Sequence, residues 1–253
     1  MATAWATKRK FLYTTTFLII ISIIIGVPTY LHFKKPPTCF DTIKNQDEEG
    51  VDCGGVCQKL CAEKQLNPVV LWSRTFKVSE GVYNAVAYIE NPNQNAEAFS
   101  VPYIFRIYDS KNILINEKQG VTFIPVQKAF PIFEGPISTG ERIPSHVTLE
   151  FLATPDWQRA EQTTFPLVIK NQKLTGEEFE PRLDAQIENT GVRTIDKVEI
   201  VATLFDSRDN AIAASKTFLD SITKHEVKDI VFTWFTPLSS EVSRIEIIPK
   251  VNP

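Results

Sequence analysis

Between Phe11 and Phe33 the chain runs for 23 residues, FLYTTTFLIIISIIIGVPTYLHF, without one Lys, Arg, Asp or Glu. At about 1.5 Å rise per residue, a helix of that length crosses the roughly 30 Å hydrocarbon core of a bilayer with some tilt. A soluble core helix would carry a polar stripe, and none is visible here. Tyr13 and Tyr30 fall where amphipathic rings favour the two interfaces. The competing reading, a cleaved signal peptide, lacks a following A-x-A-like site of small residues. Lys8, Arg9 and Lys10 precede the run and Lys34 and Lys35 follow it, which mildly favours a cytoplasmic N-terminus. The expectation is a cytoplasmic tail at 1–10 and a single-pass transmembrane helix at 11–33, with the lipid bilayer as its first partner.

All four cysteines, Cys39, Cys53, Cys57 and Cys61, lie just beyond that run, and the spacing lacks the paired C-x2-C knuckles usual for structural zinc. An even count packed this densely reads as two disulfides in an oxidising compartment, which places residues 36–253 outside the cytoplasm. Three pairings are open. The same stretch offers oxygen ligands in Asp41, Asn45, Asp47, Glu49 and Asp52, a set that could serve a hard cation such as Ca²⁺. The plainer alternative is a solvated acidic loop around a disulfide collar at 34–65, with no cofactor. Gly54 and Gly55 read as a tight backbone turn between cross-links.

The string C-x-D-x3-N-x-D-E-x-G-x-D-C-G-G-x-C-x3-C, from Cys39 to Cys61, resembles a short cysteine motif of bacterial surface and envelope proteins. The resemblance implies a spacer between an anchor and outer domains. It departs from the commoner form of the motif at Thr42, where a Gly is often found.

Beyond Cys61 the chain repeats itself. VVLWSRTFKVSEGVYNAVAYIENPN from Val69 aligns with LVIKNQKLTGEEFEPRLDAQIENTG from Leu167, pairing Ala87 with Ala185, Ile89 with Ile187 and Asn91 with Asn189. Asp109 then falls on Asp206. Near the end of each unit LEFLATP (149–155) resembles VFTWFTP (231–237) at a shorter offset, which assigns roughly fifteen extra residues to the first unit between Gly120 and Pro144. Each unit alternates apolar and polar residues in short runs closed by Asn, Asp, Gly and Pro, the pattern of β-strands and turns. The expected fold is mainly β: two tandem immunoglobulin-like or fibronectin-like β-sandwiches, at 66–166 and 167–253, joined with almost no linker. Asp156–Gln162 could add one short helical turn.

Phe105-Arg106-Ile107-Tyr108-Asp109 is similar to the signature of the F-x-L-Y-D domains, a bacterial Ig-like family of envelope proteins, and Leu204-Phe205-Asp206 keeps its second half. The resemblance implies the Ig-like fold, with alternate residues entering the core and the Asp opening a turn. It transfers no catalytic residue.

No G-x-S-x-G, H-E-x-x-H, P-loop or G-x-G-x-x-G motif is present. Residues from 36 onward carry 22 Lys+Arg against 30 Asp+Glu, a balance opposed to a nucleic-acid surface. VTFIPVQKAFPIFEGPIS carries Phe123, Phe130 and Phe133, which would dock a partner if the stretch projects as a loop and would pack as additional strands if it does not. These features point to a non-enzymatic, membrane-anchored extracytoplasmic scaffold or adhesion module whose partner is another envelope or membrane protein. An accessory subunit of a membrane secretion or transport complex, and a carbohydrate- or ligand-binding module, are the competing classes.

Overall fold

The computed structural model describes residues 2–33, 37–126, 129–160 and 166–251. The chain divides into two units, Met1–Cys57 and Gln58–Pro253. The first unit holds helix α1 (Ala2–Phe33) and most of the cysteine segment. Within α1, Thr7–Leu31 is long and apolar enough to cross a membrane. The hydroxyls of Thr14, Thr15, Thr16 and Thr29 donate back to carbonyl oxygens one turn earlier, so each is satisfied inside the helix. The helix begins well before residue 11, because Ala2–Lys10 contains no Gly or Pro to stop it.

Among its described residues, the regular structure of the second unit is all β apart from a short 3₁₀ turn at Ala62–Lys64. Its strands are β1 (Val69–Ser79), β2 (Val82–Glu90), β3 (Ala96–Tyr108), β4 (Leu114–Ile124), β5 (Ala129–Ser138), β6 (His146–Phe151) and β7 (Trp157–Arg159), then β8 (Leu167–Thr175), β9 (Arg182–Asn189), β10 (Ile195–Phe205), β11 (Ala211–Ile222), β12 (Val227–Thr233) and β13 (Arg244–Val251). Sheets β1-β2-β5 and β4-β3-β6, the latter extended by β7, close the first sandwich; β8-β9-β12 and β11-β10-β13 close the second. Trp157–Arg159 is thus strand, not the helical turn expected there. Residues 161–165, just before the boundary expected at 166, lie outside the described residues.

The repeat is real at atomic level. Asn91 Nδ2 donates to the carbonyls of Ala96 and Pro125, while Asn189 Nδ2 donates to those of Arg193 and Ile222. Each Asn Oδ1 accepts the amide two residues on, from Asn93 and Gly191. Asp109 accepts the amides of Lys111 and Ile113, and Asp206 those of Arg208 and Asn210, closing equivalent turns.

One expectation is corrected. The resemblance of 149–155 to 231–237 and the extra residues it implied do not survive, because Phe151 ends β6 and Val231 lies within β12, and these strands belong to different layers. The partner of β6 is β13: Tyr108 pairs with His146 as Phe205 pairs with Arg244, an offset of 244 − 146 = 98 that matches the rest of the repeat. Two Thr-Pro endings look alike locally and follow different strands.

Each sandwich has its own apolar core. Ala85, Ala87 and Ile89 of β2 face Phe105 and Ile107 of β3 in the first, and Leu183, Ala185 and Ile187 of β9 face Ile200, Ala202 and Leu204 of β10 in the second. The odd residues out fix the larger arrangement. Val86 on the other face of β2, and Val201 and Phe205 on the other face of β10, are also buried, in a third cluster that joins the two sandwiches. Sheet β1-β2-β5 therefore packs face to face on sheet β11-β10-β13, and the second unit is a stack of four sheets. Strands β2 and β10 are covered on both faces, which is why they read as near-continuous apolar runs.

Candidate functional site

The cysteine segment closes on a Cys39–Cys57 disulfide. Cys53 and Cys61 are disulfide-bonded as well, and no cysteine is free. Around the first cross-link the chain is held by carboxylates accepting backbone amides rather than by an apolar core. Asp52 accepts the amides of Asp41 and Thr42, and Asp41 those of Thr38 and Ile43 and the Asn45 side chain. The Thr38 amide, then the Asn45 side chain, hold the Asp41 carboxyl below its ordinary range. Gly55 sits at φ +56°, and a Cβ there would stand 1.7 Å from the carbonyl oxygen of Asp47, so no other residue closes this turn.

Glu48 is the buried acid of the segment, 6% exposed. One carboxylate oxygen accepts the Asn45 amide at 3.2 Å; the other lies 3.4 Å from Cys57 Sγ, a van der Waals contact, since a disulfide sulfur has no proton to donate. Among the described residues, Cys39, Glu48 and Cys57 are the one group of acid and sulfur side chains close enough together to hold a metal ion, and two of the three are joined to each other. Asp41, Asp47, Glu49 and Asp52, the four acids among the five residues expected as calcium ligands, do not form such a group. Asp41 and Asp52 spend their oxygens on the backbone, Asp47 and Glu49 are exposed, and Asn45 Oδ1 is shielded from solvent with no hydrogen bond.

The segment's end continues into the first sandwich. Leu60 donates its amide to Trp157 and buries its side chain in that core, and Arg159 donates its amide to Gln58.

The Phe-rich stretch does not project as a loop. Phe123 is the last residue but one of β4, and Phe130 and Phe133 stand in β5, all nearly buried. Phe130 enters the first core, and Phe133 enters the cluster between the sandwiches. Of the two outcomes open for these rings, packing as strands is the one observed, and Phe133 lies against the second sandwich of the same chain, because an apolar sheet face is buried on the nearest complementary sheet.

Polar residues bracket this interface. Arg74 donates to the Ala211 carbonyl at 3.0 Å and to Asn210 Oδ1 at 3.1 Å, and Tyr88 donates its hydroxyl proton to Glu246. At the other side a cleft of ≈ 290 Å³ opens between the sandwiches. Lys250, 8% exposed, pairs with Glu199 at 3.2 Å and donates to Thr122 Oγ1 at 3.1 Å. Lys216 lies 3.5 Å from Glu199 and donates to the Phe133 carbonyl, while Tyr103 donates to Glu134 at 2.6 Å. Burial pushes the Lys250 amine below its ordinary value, and burial, then the bond to Glu134, pushes the Tyr103 phenol up. The cations and carboxylates of the cleft compensate one another, so the arrangement suits a latch between sandwiches better than proton transfer.

Sequence reasoning missed Glu199, Lys250 and the Tyr88–Glu246 pair. The partial signal available was the apolar stretches Ala85–Ile89 of β2 and Ile200–Ala202 of β10, which leave apolar side chains on the outward face. Nothing in the sequence says which charged residues meet around that face.

No protein family matches the chain, and no curated protein matches its sequence. Among solved structures it is similar to red sea bream transglutaminase (8% identity over 75% of this chain and 30% of that one, TM-score 0.25). It is also similar to a Bacteroides uniformis beta-glucuronidase (10% identity over 69% of this chain and 22% of that one, TM-score 0.20). A third likeness is to the N-terminal tandem CBM22 domain from Paenibacillus barcinonensis (9% identity over 76% of this chain and 88% of that one, TM-score 0.15). The chain spans less than a third of the length of the first two, and likeness at this level carries no argument about activity.

Proposed function

We propose that this protein is a non-enzymatic, membrane-anchored extracytoplasmic scaffold of a bacterial envelope, in which tandem Ig-like sandwiches are offered to another envelope or membrane protein. The observation that carries the reading is the four-sheet stack. An apolar cluster with polar bonds on either side makes the two sandwiches one body, the property wanted in an element that holds a binding surface at a set place. The apolar helix and the disulfide segment before it support attachment in an oxidising compartment.

The test is made on the full chain in a bacterial host. Under this reading it stays in membranes through alkaline carbonate extraction, and protease added from outside reaches the β unit. A stoichiometric cross-linked partner survives replacement of residues 11–33 by an unrelated spanning helix. Release of a soluble chain shortened at its N-terminus would overturn the anchor, and loss of the partner on helix replacement would favour the accessory-subunit alternative.

A further inference from the structure

The four large apolar side chains between residues 37 and 57 are all turned outward: Phe40 is 86% exposed, Ile43 63%, Val51 56% and Val56 58%. A segment folded on a disulfide and on carboxylate–amide bonds has no core to receive them. Its own buried groups are Glu48, Gly54 and Cys57. An isolated exposed Val is ordinary, but four on so short a segment, one of them a nearly bare Phe, leave an apolar surface that water solvates poorly.

The chain itself says what lies next to them. Phe40 is seven residues beyond Phe33, the end of the apolar helix, and at about 3.6 Å per residue its Cα cannot stand more than about 25 Å from that end. Residues that close to the exit of a spanning helix can reach the headgroup layer, where a Phe and aliphatic side chains gain by dipping about 5–10 Å toward the acyl chains. Charge selects the lipid. Residues 34–57 hold Asp41, Asp47, Glu48, Glu49 and Asp52 against Lys34, Lys35 and Lys44, 3 − 5 = −2, so an anionic surface repels the segment and a zwitterionic one does not.

Resting on the anchor reading, we infer that the cysteine segment is a bilayer-seated collar whose Phe40, Ile43, Val51 and Val56 insert into a zwitterionic headgroup interface. The experiment reconstitutes the full chain carrying Trp5→Phe and Phe40→Trp in phosphatidylcholine vesicles containing brominated lipids, with the Trp5→Phe chain as reference. Flotation after carbonate treatment reads the anchor, and the fluorescence that the Phe40→Trp change adds over the reference reads the collar.

The expected result is flotation with a blue-shifted emission from the indole at position 40, quenched more by bromines high on the acyl chain than by bromines near its end, and quenched less in phosphatidylglycerol vesicles. Flotation with an unshifted, unquenched indole at that position overturns the collar and leaves the anchor standing. Failure to float overturns both. Val51→Trp is the second probe should the Phe40→Trp chain misfold.

Discussion

Tyr88 in the first sandwich and Glu246 in the second share a hydrogen bond across their interface, and the Tyr88 ring stacks on Trp72 at 5.2 Å. The bond sits on the rim of an apolar cluster that includes Val86 and Phe205. A cluster of this kind couples the unfolding of its two sides. The full chain should therefore show one thermal transition for both sandwiches. Val86→Asp, which places a charge where the side chain is fully buried, should split it in two. Calorimetry reads this directly, and a single transition in the variant would mean the sandwiches are not coupled through β2.

Asn91 and Asn189 are the matching keystones of the repeat. Replacing either with Ala strands two backbone carbonyls inside its own sandwich, at about 1–3 kcal/mol for each unsatisfied group. Asp should do no better, having no amide hydrogens to donate. Hydrogen exchange should show the loss confined first to the sandwich that carries the change.

Lys250 should give the stability of the β unit an alkaline slope. Burial sets its folded-state value below the ordinary 10.5, so between the two the unfolded chain binds more protons, and stability rises with pH. The raised Tyr103 phenol acts the opposite way only above pH 10, which leaves the window below that to Lys250. Lys250→Met should flatten the slope. It should also destabilise, at the low end of the roughly 3–5 kcal/mol for breaking a buried pair, because Lys216 remains beside Glu199. Adding Glu199→Gln should recover part of the loss. Denaturant titrations across pH test all three statements.

Asp109 and Asp206 should shape the acid limb. Hydrogen bonds from the Ile113 and Asn210 amides hold these carboxyls below the ordinary 3.8. Their contribution is complete above that value and disappears as pH falls through the lower folded-state value. The double variant Asp109→Asn/Asp206→Asn should show a shallower loss of stability below pH 3.8, measured by acid unfolding.

Glu48 should protect its disulfide. A buried carboxylate 3.4 Å from Cys57 Sγ repels an incoming thiolate, so Glu48→Gln should speed reduction of Cys39–Cys57 by dithiothreitol. Equal rates in mass-spectrometric time courses would remove the shielding role.

Local chemistry determined much of this protein in advance. An uncharged run of apolar residues becomes a helix, four close cysteines become two disulfides, and alternating runs ended by Asn and Asp become strands and turns, because each depends on neighbours a few residues away. Asn91 with Asn189 and Asp109 with Asp206 were visible as a repeat for the same reason. Only the tertiary structure decided that β6 answers to β13, that Cys39 pairs with Cys57 around Glu48, and that Phe133 faces a second sandwich instead of a partner. Those outcomes turn on which parts of the chain meet, across 18 residues for the disulfide and 83 for Lys216 on Phe133, and an outward Val86 looks the same in sequence whether water or another sheet lies opposite.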